Sequence, residues 1–315
     1  MTASTALETG RRAPAEAPPR IEGRSPWRIA YDRLRHDRVA VGSAIVIVLI
    51  ALMAISAPLM SELIGHGPDT QYRTTGLSPA GIPVGPSSTF LFGTDELGRD
   101  IFVRIFYGAR ISLLAGVAAS LLAVVVGVVV GLFAGYFGRV VDTVLARFMD
   151  VVLSLPYLVF AIALISVVGP GLPVSIAVIA FFSFASVGRI VRGQVLLLRQ
   201  KEFVEAAFSL GAGNLRIMFV DILPNVLAPV IVYTTLLIPL AVVFEATLSF
   251  LGLGVVPPTP SWGGMLSESL QYYQVAWWYV VFPGAALLIT TLAFNLLGDS
   301  IRDAFDPRYT RTTAR

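Results

Sequence analysis

Long apolar runs alternate with short polar segments along the chain. Six of these runs fall at about Val39–Met60, Ile111–Phe137, Phe148–Val168, Pro173–Ile190, Val226–Leu248 and Trp277–Leu297. Each is close to the ~20 residues that a helix needs to cross a hydrocarbon layer. The runs are continuous, whereas a barrel strand would alternate over about ten residues. The pattern predicts an all-α integral membrane protein with six transmembrane helices. Gly127, Gly131 and Gly135 recur every fourth residue in the second run. That spacing makes a ridge along which another helix can approach closely. Pro156 is expected to kink the third run, because it interrupts the helical hydrogen-bond ladder.

The polar segments set the organisation. Residues 1–24 are rich in Ala, Pro, Arg and Glu without apolar periodicity, and are expected to be disordered. Ser25-Pro26 carries a helix-start signal. In residues 25–38, Trp27, Tyr31 and Leu34 share one face among several arginines. This predicts either an amphipathic helix lying in the membrane surface or a solvated linker helix. The membrane domain then spans 39–308, with 309–315 as a tail. Arginine is concentrated before the first run, after the second and fourth, and in the tail. Positive charge marks the cytoplasmic side, so both termini are expected there. The loop at about 198–224, between the fourth and fifth spans, is expected on the same side.

Composition agrees and narrows the chemistry. Hydrophobic residues make up 56% of the chain and charged residues 14%, against roughly 25% charged in soluble domains. There is no cysteine, and the two histidines, His36 and His66, are far apart. Thiolate chemistry is excluded and no metal site is expected. The single lysine, Lys201, has no glycine-rich loop before it. A phosphate-binding loop needs that lysine after its glycines, so the chain has no ATPase site of its own. No nucleophile stands beside the acidic residues, and no catalytic residue is expected.

Three places carry candidate function. The first is the 198–224 loop, where Lys201–Leu210 is helix-forming and Gly211 stands where a helix-ending glycine would. Phe203, Ala206, Ala207 and Leu210 form a stripe, with Glu202 and Glu205 among them. Asn214 is placed to cap a second short helix before Pro224. The second is Gly93-Thr94-Asp95-Glu96-Leu97-Gly98-Arg99-Asp100, outside the second span. Asp95, Arg99 and Asp100 there can form a salt-bridge cluster that fixes the outer loop, or can meet a docking protein. The third is Glu245, an ionisable residue well inside the fifth span. An intramembrane charge costs on the order of 3 kcal/mol by insertion scales, so it should face the protein interior or an aqueous path. A structural hydrogen bond and substrate contact are both open for it.

Glu205-Ala206-Ala207, three residues, Gly211 and then Ile222-Leu223-Pro224 resemble the coupling loop of ABC importer permeases. The 92–100 segment with Tyr107–Leu113, and Glu245–Gly254 with Pro257 and Ser261-Trp262-Gly263, are similar to the dipeptide/oligopeptide/nickel family. The second permease type of such systems is nearest. Asp221 departs from the loop pattern, which prefers an apolar residue or histidine there. The resemblance implies half of a translocation pore and a bacterial inner-membrane location. It implies a homologous permease partner, two cytoplasmic ATPases that use ATP and magnesium, and an extracytoplasmic binding protein. Glu205, Ala206, Ala207 and Gly211, with Phe203 and Leu210, would form the ATPase-coupling loop. This chain would bind no cofactor and no nucleic acid, only its protein partners and lipid. Peptides are the expected cargo, with nickel or another small solute as the alternative. An ion-coupled transporter acting alone is the more distant reading, since Glu245 is thin support for a proton relay.

Overall fold

The computed structural model describes residues 26–306. The expected disorder of 1–24, the helix-start Ser25 and the tail 309–315 lie outside the described residues, as do the arginines within them. The described chain is helical, apart from its loops and two isolated bridges, Leu77 with Pro83 and Thr94 with Asp100. The helices are α1 (Pro26–Leu34), α2 (Arg38–Ile55), α3 (Ala57–Ile64), α4 (Ile101–Phe137), α5 (Arg139–Ser154) and α6 (Tyr157–Val168). They continue as α7 (Leu172–Leu198), α8 (Glu202–Ser209), α9 (Asn214–Arg216), α10 (Leu223–Phe250), α11 (Trp262–Ser269) and α12 (Trp277–Phe305). A π-helical segment, Ile217–Ile222, joins α9 to α10.

Five helical runs are long and apolar enough to cross a membrane: α2, α4, α7, the continuous run Asn214–Phe250, and α12. A sixth crossing requires α5 and α6 to count as one span, and these are bent by 90°. The single kinked helix expected at Phe148–Val168 is therefore two helices. Proline cannot donate to the ladder, and it pushes the residue before it out of the helical region. Leu155 is accordingly extended (φ −76°, ψ 132°). α5 also begins well before Phe148, at Arg139.

The centre of the bundle is α4 against α7. A Cβ on Gly127 would sit 2.6 Å from the Val187 Cβ, and one on Gly135 would sit 2.7 Å from the Val195 Cβ. The glycine ridge thus packs within this chain. α5 is clamped to the same helix by charge. Arg192 grips both carboxylate oxygens of Asp142, and Arg189 reaches Asp150 at 2.7 Å.

Two opposite faces follow from the long helices. α4 and α12 both begin beside Thr94, whose carbonyl accepts from Trp278 Nε1 at 3.2 Å. Both end at the other face. There Arg33 of α1 donates to the carbonyls of Ala304 and Asp306 at 3.0 Å each. Tyr136, near the end of α4, donates to Asn214 Oδ1 at 2.9 Å. The first and last described helices and the 198–224 loop therefore share one face, and residues 65–100 with α11 form a cap on the other. α1 meets the bundle through Ala30 and Arg33, while Tyr31 is exposed. The Tyr31 side of the expected amphipathic helix points away from the protein.

Candidate functional site

The cap is built on buried charge. Asp95 is wholly buried, and Arg99, Asp100 and Arg104 nearly so. Asp95 Oδ1 accepts from the backbone N–H groups of Leu97 (2.9 Å) and Arg99 (2.8 Å), and Oδ2 accepts from Arg99 Nε (2.5 Å). Arg104 Nε lies 3.4 Å from the same oxygen. The turn between them needs its glycines. Gly93 (φ +76°) and Gly98 (φ +75°) are left-handed, and a Cβ on Gly93 would meet the Trp278 ring. Asp100 Oδ1 caps α4 through Phe102 N–H at 2.8 Å, and Oδ2 pairs with His66 Nδ1 at 2.6 Å.

Glu268 of α11 closes the cluster, 3.1 Å from Arg99 and 3.4 Å from Arg104. Tyr279 of α12 lies between Glu96 and Glu268; its hydroxyl is 2.8 Å from Glu268 and hydrogen-bonded to Glu96 as well. One hydroxyl has one proton, so one of these two contacts needs a proton from a carboxyl group. Burial pushes the Glu96 carboxyl up from its ordinary value, and the charges of Glu268 and Asp95 add to the push. The hydrogen bond from Tyr279 acts in the opposite sense and lowers it. Asp95, Glu96 and Glu268 come close enough together to hold a cation. Arg99 and Arg104 already sit against all three of those carboxylates, Arg99 reaching Glu96 at 3.3 Å, and supply the countercharge. The predicted Asp95, Arg99 and Asp100 are all here. Arg104, Glu268, Tyr279 and His66 were not foreseen as members. Glu268, as the only charge of its loop, was the available signal.

The opposite face carries the reverse arrangement. α8 ends in a closed turn. Ala212 N–H donates to the Ala207 carbonyl (3.0 Å) and Gly211 N–H to that of Phe208 (2.9 Å), with Gly211 at φ +81°. This doubly bonded ending is the one that a left-handed glycine permits. Val204 is buried beneath α8, and Ala207 packs beside it against the apolar core that includes Ile217. The stripe expected from the sequence divides. Ala207 turns inward, whereas Phe203, Ala206 and Leu210 are exposed along with Glu205. Phe208 (69% exposed) and Leu210 (88%) form an apolar knob. A groove of about 450 Å³ runs beside it, lined by Tyr136, Phe137, Arg199, Glu205, Phe208 and Asn214. Asn214 does not cap the next helix; Gly213 stands at that position, and Asn214 is engaged by Tyr136.

Glu245 faces the interior of the bundle and is wholly buried. Its Oε1 accepts from Ser249 Oγ at 2.7 Å, and Ser249 Oγ in turn accepts from Val255 N–H at 3.2 Å. Ser112 of α4 borders the carboxyl and accepts from Trp262 N–H at 3.4 Å. Glu245 therefore ties the end of α10 to the segment leading into α11. Glu245 Oε2 has no hydrogen-bond partner among the described residues.

A spanning helix bundle with a buried-charge cap on one face and an exposed apolar helix on the other defines a polytopic membrane protein. Residues 127–311 match the binding-protein-dependent transport system inner membrane components, and the chain belongs to that family. Residues 25–79 match the N-terminal transmembrane domain of oligopeptide transport permease C. The chain is 44% identical over 288 residues to the oligopeptide transport system permease protein OppC of Escherichia coli K12, covering 91% of this chain and 93% of that one. It is 42% identical to the dipeptide transport system permease DppC of Alkalihalophilus pseudofirmus over 284 residues, 90% of each chain. The di/tripeptide permease DppC of Pseudomonas aeruginosa is 40% identical, with 94% and 96% covered. In fold, the chain resembles a chain of the inward-facing MetNI methionine ABC transporter, with a TM-score of 0.52 at 18% identity. That match covers 64% of this chain and 96% of the other.

Proposed function

We propose that this chain is a permease subunit of an ATP-driven importer of di- and oligopeptides, forming half of a translocation pore with a homologous permease. The observation that carries the coupling part is the α8 knob. Large apolar side chains exposed beside a rigid closed turn call for a protein partner. The chain lacks a phosphate-binding loop, so the energy must come from separate ATPase subunits that use ATP and magnesium. Glu205, Ala206, Phe203 and Leu210 would be the docking surface together with Phe208, while Ala207 seats the helix and Gly211 turns it. Movement of α8 would then shift the π-helical segment, which it contacts, and through it α10, with which that segment is continuous. The arginine bias supports a cytoplasmic α8 face, with both termini on the same side. The cap faces outward, where an extracytoplasmic binding protein would deliver substrate.

The peptide assignment rests on the names of relatives that share 40% to 44% of their residues with nearly the whole chain. Affinity purification from the native membrane in mild detergent, followed by mass spectrometry, tests the assembly. Recovery of a second permease and ATPase subunits is the expected result. Recovery of this chain alone, with uptake that depends on an ion gradient and not on ATP, would overturn it.

A further inference from the structure

Arg110 is the odd charge on the outer half of α4. Two turns above it, Arg104 is buried in ion pairs. Arg110 is exposed, with its guanidinium 6.0 Å from the centroid of the Tyr107 ring; no hydrogen bond or ion pair joins it to the described residues. It opens onto a groove of about 480 Å³ whose other walls are Ala54, Ile55, Tyr107, Ile111, Leu114, Thr259 and Pro260. Those walls are almost wholly apolar, so the guanidinium is the only charge in the groove.

Depth decides what fills it. α4 has 37 residues, about 55 Å at 1.5 Å per residue. From Arg110 to Phe137 the helix rises about 40 Å, close to the 40–45 Å of a bilayer with its headgroups. Phe137 leads into Arg139 and lines the groove beside Arg199 at the opposite interface. Arg110 therefore lies at the outer headgroup level. Below it, Leu114, Leu121 and Val125 continue an exposed apolar strip down α4, and Ile45, Val48 and Leu52 of α2 are likewise exposed. A cation at the headgroup plane above an apolar valley matches the phosphate and acyl chain of a lipid. A guanidinium–phosphate contact is a strong, charge-assisted one.

We propose that the groove between α2 and α4 holds one outer-leaflet glycerophospholipid, with its phosphate on Arg110 and an acyl chain along Ile111, Leu114 and Ile55. The inference rests on the chain spanning a membrane in the proposed orientation and is independent of the cargo. The test titrates phosphatidylglycerol onto the delipidated complete transporter and counts bound lipid by native mass spectrometry, for wild type, Arg110→Ala and Arg110→Lys. Arg110→Ala is expected to lose one bound lipid, its apparent affinity falling about tenfold or more, the weight of one charge-assisted contact. Arg110→Lys should keep most of that affinity, and diacylglycerol, which lacks phosphate, should not bind there. Equal retention by wild type and Arg110→Ala would overturn the proposal. Because the chain has no cysteine, Leu114→Cys adds a clean second readout. Efficient cross-linking of that cysteine to another polypeptide in the native membrane would also overturn it, since a protein helix would then fill the groove. Protection of the cysteine by added phosphatidylglycerol supports it.

Discussion

The cap and the α8 loop both carry family-like motifs, but they spend their residues in opposite ways. In the cap, residues that prefer water are buried: Asp95, Arg99, Asp100 and Arg104 satisfy one another, the backbone turn and the start of α4. In the loop, residues that avoid water are exposed: Phe208 and Leu210 stand on a turn held by its own backbone bonds. A conspicuous charged motif is thus explained by the chain itself, whereas the plainer apolar one is not. Buried polar groups report a completed structure, and exposed apolar ones report a contact still to be made.

The comparison is broken most easily at the cap. Removing one partner of a buried ion pair strands the other charge, at about 3–5 kcal/mol. Asp95→Ala or Arg104→Leu should therefore sharply lower the melting temperature in detergent and the folded yield. An unchanged melting curve would mean that the cluster is not a structural clasp. Glu245 comes next. Glu245→Ala leaves the Ser249 hydroxyl without its acceptor, a loss of about 1–3 kcal/mol. Glu245→Gln keeps an acceptor oxygen and should cost less. If both variants melt like wild type yet fail to transport, the residue acts in the pathway and not in holding the segment before α11.

The loop should behave in the reverse sense. Gly211→Val forces a β-branched residue to φ +81° in otherwise open space, a local strain of about 1–2 kcal/mol. Stability should fall only modestly while transport is abolished with membrane insertion intact. Glu205→Arg is expected to do the same with less effect on stability. Normal uptake by both variants would remove α8 from the coupling step.

The smallest effect concerns pH. Burial raises the Glu96 carboxyl above its ordinary 4.5, so between that value and the raised one the folded cap binds more proton there than the unfolded chain. This favours the fold at low pH, and the advantage fades as pH rises from 4.5 through the raised value. Glu96→Gln mimics the protonated group and should flatten that part of the profile. Melting temperatures of the two proteins across that range should converge at the acid end; parallel curves would contradict the assignment.

Much of the bundle was legible in the sequence because hydropathy marks what hydrocarbon touches. It marks helices less well. α4 begins at Ile101, ten residues before the apolar run, and α7 continues past Ile190 to Leu198. Those extra turns are largely apolar, but Arg104 and Arg110 interrupt the first and Arg192 the second, and a charge ends an apolar run before it ends a helix. The break at Leu155-Pro156 was visible as a proline, but its 90° bend was not. Proline shows where the ladder fails, and packing sets the angle. The end of α8 was readable from Gly211, since few residues tolerate a left-handed position. The cap cluster was half readable. Asp95, Arg99 and Asp100 lie within six residues, whereas Arg99 meets Glu268 across 169 positions, a pairing that only the tertiary fold creates. Which face of α8 would be buried was also hidden. Val204 and Ala207 pack inward and leave Phe203 and Leu210 outside, because the π-helical segment beneath is reached from that side.

The central claim is that the exposed apolar knob, and not the buried charge, connects this chain to its energy source. It is tested most directly by measuring ATP-driven uptake of a labelled tripeptide into proteoliposomes that contain the complete transporter with Phe208→Asp and Leu210→Asp. The account predicts that uptake and ATPase association are lost while the melting temperature stays within a degree or so of wild type, since exposed substitutions change stability by about 0.5 kcal/mol or less. Undiminished ATP-driven uptake by this variant would contradict it.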